Sequence, residues 1–216
     1  MKPTRSAVSS RARALAWALI LIPGIAWAGP EKSPLDRFSP EQQAQLKAGE
    51  AVYQHVQSEG KDGKTTGHGE SYALVNKPAD ECFRVFLEFD KHHLYFPRKK
   101  ASEIVKAWDD KALVHKVFEF YVVDIEYTVL YTIDRKNRRV DFQLDPEYKH
   151  DLEDTAGYFL FEPVDDKTTL FTYAATKVQT GLKVPSFIQK ILTSRDLPDV
   201  VTNVKKRIES GGTWTK

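Results

Sequence analysis

The residues of this chain that could do chemistry are few and scattered. Histidines stand at 55, 68, 92, 93, 115 and 150. None has a second histidine four residues on, and His92 and His93, being adjacent, cannot share one helix face. A zinc site needs several such ligands converging on one point. Cys82 is the single cysteine, so neither a thiolate cluster nor an intramolecular disulfide can form. No nucleophile elbow, phosphate loop or dinucleotide fingerprint occurs. The pattern therefore predicts no metal, no cofactor and no catalytic constellation. Cys82 sits among Phe83, Val85 and Phe86 and reads as a buried, inert thiol. Asp124 and Glu126 share one face of a strand and read as surface charge rather than an acid/base pair. Lys116 shares parity with Phe118 and Phe120. It either anchors a polar group inside a pocket or snorkels outward. Lys205-Lys206-Arg207 either complement a helix C-terminus or make transient contact with anionic membrane headgroups.

The elements that must position these residues follow from periodicity. "VVDIEYTVLYTI", 122 to 133, places Val123, Ile125, Tyr127, Val129, Tyr131 and Ile133 on one parity. Asp124, Glu126, Thr128 and Thr132 take the other, with Leu130 out of place, so this is a half-buried strand. Similar reasoning predicts strands near 70–75, 100–108, 111–121, 138–144, 153–163 and 168–178. "DRKNRR" and "VDDKT" are hairpin turns between the later ones. Ser39-Pro40-Glu41 starts a helix expected to reach about Val56. "SEGKDGKTTGHG", 58 to 69, reads as a flexible connector. A second helix follows Pro78. From Val184 to Glu209, apolar residues recur at 184, 187, 188, 191, 192, 197, 200, 201, 204 and 208. That is helical spacing, interrupted by Pro198, which must kink or break the helix. The order is α+β, with an antiparallel meander whose curved sheet is covered by one long C-terminal helix.

The first 28 residues read as a secretory signal. Lys2, Arg5, Arg11 and Arg13 precede an apolar run from Ala14 to Ile22, and Ala26-Trp27-Ala28 follows as a cleavage site. A membrane span needs about 20 apolar residues, and this run is shorter. The expected product begins at Gly29 and is exported, to a bacterial periplasm or beyond. The whole chain has 32 Lys and Arg against 30 Asp and Glu. Losing those four cations and no anion leaves 28 against 30, near −2, which gives no argument for nucleic-acid binding. The remainder suits an N-terminal tether and helix at 29–66, one domain at 67–210 and a short tail at 211–216.

Three stretches resemble one superfamily. "GHGESYALVNKPADECFRVFLEFDKHHLYFPRKKASEIV" is similar to the opening of START-like, or SRPBCC, proteins: strand, Pro-Ala before a helix, an aspartate, then an aromatic and Pro97. "GYFLFEPVDDKTTLFTY" looks like their Gly-x-aromatic-x-aromatic hairpin, and "GLKVPSFIQKILTSRDLP" like the start of their gripping helix. The resemblance, over residues 67 to 210, implies a helix-grip fold: a curved seven-stranded antiparallel sheet gripping the C-terminal helix. Polyketide cyclases and coenzyme Q-binding proteins belong there, and the implied partner is a hydrophobic small molecule under that helix. By parity the wall includes Tyr127, Tyr131, Phe142, Phe159 and Phe161. Phe118, Phe120, Tyr121 and Tyr173 are additions of unsettled parity. Phe187, Ile188, Ile191 and Leu192 face them from the helix, Tyr95 stands near the mouth, and Lys116 is the polar anchor. These rings either line a cavity or fill a core. The leading expectation is an exported carrier of a lipid, sterol, quinone or polyketide-like ligand. The alternatives are a cyclase/aromatase-type enzyme and a protein-interaction module using the 39–56 helix. Oligomeric state is left open.

Overall fold

The computed structural model describes residues 32–59, 65–120, 123–179 and 196–216, all within the unit Lys32–Lys216. The expected signal peptide, Tyr121, Phe187, Ile188, Ile191 and Leu192 lie outside the described residues. In chain order the elements are a 3₁₀ turn η1 (Pro34–Arg37), α1 (Pro40–Lys47), β1 (Val52–Glu59), β2 (Thr65–Val75), α2 (Ala79–Phe86) and η2 (Phe89–Leu94). Then come β3 (Lys99–Ala107), β4 (Lys111–Phe120), β5 (Val123–Asp134), β6 (Arg139–Leu144), β7 (Asp154–Asp165), β8 (Thr168–Gln179) and α3 (Asp196–Glu209). The strands form one antiparallel sheet of eight in the order β1-β2-β8-β7-β6-β5-β4-β3.

The extra strand corrects the expected helix to Val56. Ser39 caps α1 as anticipated, accepting from the Gln42 N–H, and Gln42 reaches back to the Ser39 N–H. The helix stops at Lys47 because Gly49 adopts φ 86°, and the Gly49 and Glu50 N–H groups bond back to Leu46 and Gln45 carbonyls. The chain then turns into β1, which pairs with β2 from Val52↔Tyr72 to Glu59↔Thr65. The polar connector thus shrinks, and both its ends are strand. Pro198 falls in the first turn of α3, where no intrahelical N–H is required of it.

Cross-strand partners share a face, so the register defines the sheet's inner side. Lys116 pairs with Tyr127, Val114 with Val129 and Ala112 with Tyr131. Tyr131 continues to Phe142, Phe142 to Gly157, Phe159 to Tyr173 and Phe161 to Phe171. α2 turns Cys82, Phe83, Val85 and Phe86 onto this face. α3 adds Leu197, Val200, Val201, Val204 and Ile208, all at most 6% exposed. Each such side chain contributes roughly 1.5–3 kcal/mol on burial. α3 packs on β2, β8, β1 and α2.

Asn203 Nδ2 donates to the Tyr95 carbonyl, and Lys205 Nζ donates to the Leu74 carbonyl at 2.6 Å. Arg207, 6% exposed, donates to the Trp214 carbonyl. Two of the three cations in the Lys205-Lys206-Arg207 run therefore hold the fold together.

A smaller core lies on the opposite, outer face. Leu35, Phe38 and Leu46 pack there on Val52, Tyr72, Leu74 and Leu170. Arg37 ties η1 to β7 through Glu162 and lies over the rings of Phe38 and Tyr72.

Gly157 explains the first residue of the Gly-x-aromatic hairpin. A Cβ there would stand 2.1 Å from the Ala174 carbonyl oxygen and 2.6 Å from the Phe142 ring. The ring of its cross-strand partner occupies that space, next to a register shift at Ala156/Gly157. Gly157→Ala should therefore lower stability by about 2–3 kcal/mol through overpacking. The check is a fall in urea midpoint at constant m; an unchanged midpoint would show that the bulge absorbs the methyl.

Candidate functional site

The inner face divides into a solid end and an open end. At the solid end, the Phe86 ring meets those of His92, Phe159, Phe161 and Phe171 at centroid distances of 4.6–5.9 Å. Phe159 is 2% exposed, Phe161 1% and Tyr131 0%, so none keeps surface for a ligand. Tyr95 is 1% exposed and lies beneath the Arg207 guanidinium. Lys216 folds back over this region, its backbone N–H bonding the Leu94 carbonyl and its ammonium those of Phe96 and Lys99. Tyr95 is thus a core residue, which corrects its placement near a mouth. Tyr131, Phe159 and Phe161 face inward as parity predicts, but they fill the core.

The open end gathers Lys116, Phe118, Tyr127, Phe142 and Tyr173. Phe118 stacks on Tyr127 at 5.7 Å and 4°, and Tyr173 stacks on Phe159 at 4.8 Å and 15°. Phe118, Tyr127 and Tyr173 remain partly exposed. Tyr127 lies deep enough for burial to push its phenol well above its ordinary value of 10.0. Partly exposed rings among apolar neighbours are the kind of surface that small-molecule sites use. Phe120 belongs instead to a satellite cluster with Ile125 and Leu152 at the strand ends. A groove of about 540 Å³ opens beside Leu197 at the start of α3, lined also by Tyr53, His55, Gly69 and Ala175. It reaches Ala175 on β8, two residues along the inner face from Tyr173.

The unusual chemistry is a pair of buried amines. Lys116 is 5% exposed, and its Nζ stands 4.6 Å from the Tyr131 ring, 5.4 Å from Phe142 and 5.8 Å from Tyr127. Lys99, 2% exposed on the next strand, holds its Nζ 4.0 Å from the Phe96 ring and 5.2 Å from Phe118. No hydrogen-bond partner meets Lys99 Nζ among the described residues. An aromatic face returns about 0.5–2 kcal/mol to an ammonium; removing that ion from water costs several. Desolvation wins. It lowers Lys116 from 10.5 to about 7 and takes Lys99 well below 10.5, with the Lys116 and Lys216 charges adding to the effect on Lys99.

Sequence reasoning found Lys116 by parity. It missed Lys99, since a lysine pair at the start of a strand carries no sign of which member turns inward.

Nearby, His92 Nε2 donates to the Phe86 carbonyl at 2.8 Å, because a carbonyl can only accept, and this leaves Nδ1 as an acceptor. Burial first, and then the Lys99 charge, holds His92 well below 6.5, so it stays neutral. His92 Nδ1, Tyr95 OH and Tyr131 OH have no partner among the described residues.

The remaining predicted groups sit elsewhere. On the outer face, Asp124 pairs with Lys100, and Glu126 with Lys149 and His115. Cys82 is buried and its thiol is pushed up to about 11, chiefly by burial.

The lowered amine sets a pH dependence. Below about pH 7, Lys116 is charged in both folded and unfolded chains, and the burial penalty is fully present. Between about 7 and 10.5 the unfolded chain holds a proton that the folded chain lacks, so stability rises with pH. Lys116→Met should therefore stabilise the protein by about 2 kcal/mol or more at about pH 6, with the gain shrinking toward about pH 10. Urea melts of both proteins across that range check this; a gain independent of pH would contradict a desolvated amine.

No family model and no curated protein matches the sequence. Solved structures do resemble it. A protein from Thermus thermophilus aligns at 14% identity over 67% of this chain and 98% of its own, with a TM-score of 0.58. The Zhui aromatase/cyclase from Streptomyces sp. R1128 aligns at 16% identity, covering 74% of this chain and 99% of its own, with a TM-score of 0.54. A STAR-related lipid transfer protein fragment from Xanthomonas axonopodis aligns at 14% identity, 73% and 93% coverage and a TM-score of 0.58. At such identities the likeness is one of fold, and it agrees with the order of elements: the chain has the START-like helix-grip fold.

Proposed function

We propose that this protein binds and carries a hydrophobic small molecule, held against the open end of the inner face. The observation that carries the reading is Tyr127: a ring deep in the body that keeps free surface, flanked by Phe118, Phe142 and Tyr173. Apolar walls with a few polar groups are the common form of small-molecule sites. Each CH₂ a guest buries contributes about 0.8 kcal/mol, so a chain of modest length is held without chemistry. A lipid transfer protein and an aromatase/cyclase among the solved structures of this fold support an apolar guest. The groove beside Leu197 is the access route. The N-terminal signal pattern supports export to a periplasm or beyond, with Gly29 as the first mature residue.

A cyclase-type enzyme is the second reading. Lys116, poised near neutrality beside Tyr127 and Tyr131, favours it. Turnover of a bound polyketide that is lost in Lys116→Ala would establish it over the carrier.

Two outcomes are expected. Native mass spectrometry of protein from its own host should show a co-purifying hydrophobe, and the stripped protein should take up one neutral fluorescent lipid per chain. Folded protein that carries no co-purifying hydrophobe and takes up neither this lipid nor an acidic long-chain one would end the carrier reading. N-terminal sequencing of the exported form should begin at Gly29, and retention of residues 1–28 would remove the export proposal.

A further inference from the structure

We propose that the guest is an amphipathic acid: an apolar body against Phe118, Tyr127, Phe142 and Tyr173, and an oxyanion head, carboxylate or phosphate, between Lys116 and Lys99. This rests on the carrier reading and adds the head group to it.

Geometry carries the inference. Lys99 on β3 is the cross-strand partner of Phe118, and Lys116 precedes Phe118 by two residues on β4. Both side chains therefore enter the same inner space one strand apart. Both end among rings, and no carboxylate figures among the charges that act on either amine. The groups around the pair from other elements are His92 on η2, Tyr95 just after it, Tyr127 and Tyr131 on β5 and Lys216 of the tail, with Arg207 of α3 lying over the Tyr95 ring. All are cationic or neutral. The carboxylates Glu88 and Asp90 act on Tyr95 instead. Two buried amines with no carboxylate facing them among the described residues form half of an ion pair, and a buried charge left without its partner is costly. An oxyanion completes it. The hydroxyls of Tyr131 and Tyr95 are unsatisfied donors in the same interior. The lowered amines add a consequence: an arriving anion favours their charged form, so binding above neutral pH takes up protons.

The test compares dodecanoate, dodecyl phosphate and dodecanol, with acetate as a head without a body, by calorimetry on stripped full-length protein. A charge-assisted contact predicts at least about tenfold tighter binding of one of the two acids than of the alcohol. The preference should disappear in Lys116→Met and weaken in Lys99→Met, while persisting in Lys100→Met, whose surface amine pairs with Asp124. Binding heats at about pH 8.5 should vary with buffer ionisation enthalpy in the sense of proton uptake. Alcohol and acids binding equally, or a preference surviving both inward variants, would overturn the anionic head and leave the hydrophobic guest standing. Failure of all three long-chain compounds to bind would remove the carrier reading itself.

Discussion

The structure depends on taking one aromatic face of a sheet out of water. No single strand could do this, because alternation leaves each of them half wet. The face closes only when α2, η2 and the turn after it deliver Phe83, Phe86, Phe89 and Phe96 onto it from one end and α3 covers β2 and β8. Phe86 is the centre of that contact, with Phe159 and Phe161 directly against its ring. Rings of this size bury about 150–250 Å² each, so the plugged end contributes heavily to the stability of the body. The same plug reaches only part of the way. Beyond Tyr131 and the buried Lys116 the wall continues as Phe118 and Tyr127 with surface to spare, and the possibility of a guest begins there.

That geometry explains why charged groups can sit in such a place. A lysine stem is apolar and packs readily against rings; only the terminal ammonium resists. At the surface, comparable charges find counterparts: Lys100 with Asp124, Arg139 with Asp141, Arg138 with Asp80. Inside, the Lys99 and Lys116 amines stand over aromatic faces, and the Lys116 and Lys216 charges act on Lys99. Lysines are almost never fully buried unless paired, strongly perturbed groups cluster at functional sites, and here the two border rings of the inner face that keep exposed surface.

The outer face shows the opposite economy. Glu70 is buried among polar partners, and Tyr72, Tyr158 and His68 all hydrogen-bond to its carboxylate. Burial raises that carboxyl, but the three hydrogen bonds together prevail and hold it below 4.5. With Arg37 and Phe38 this network fastens the segment before β1 to the sheet. Residues Leu35, Phe38 and Leu46 of η1, its cap and α1 are consequently part of the packed body.

Alternation and helical spacing determined a good deal by themselves. The seven later strands, their antiparallel order and the stripe Leu197, Val200, Val201, Val204 and Ile208 follow from local side-chain periods, which survive folding unchanged. So does the inward parity of Lys116, Tyr127, Tyr131, Phe142, Phe159 and Phe161. β1 escaped because an edge strand is half exposed, and its Val52 and Val56 are spaced as in a helix; Gly49 was the available stop signal. Which inward rings are filled and which keep surface, that Tyr95 is sealed beneath α3, and that Lys99 turns in beside Lys116 were decided only by tertiary structure. Parity says which way a side chain points. What it meets there depends on how far α2, η2 and α3 reach across the sheet, and that distance is a property of the whole packed body.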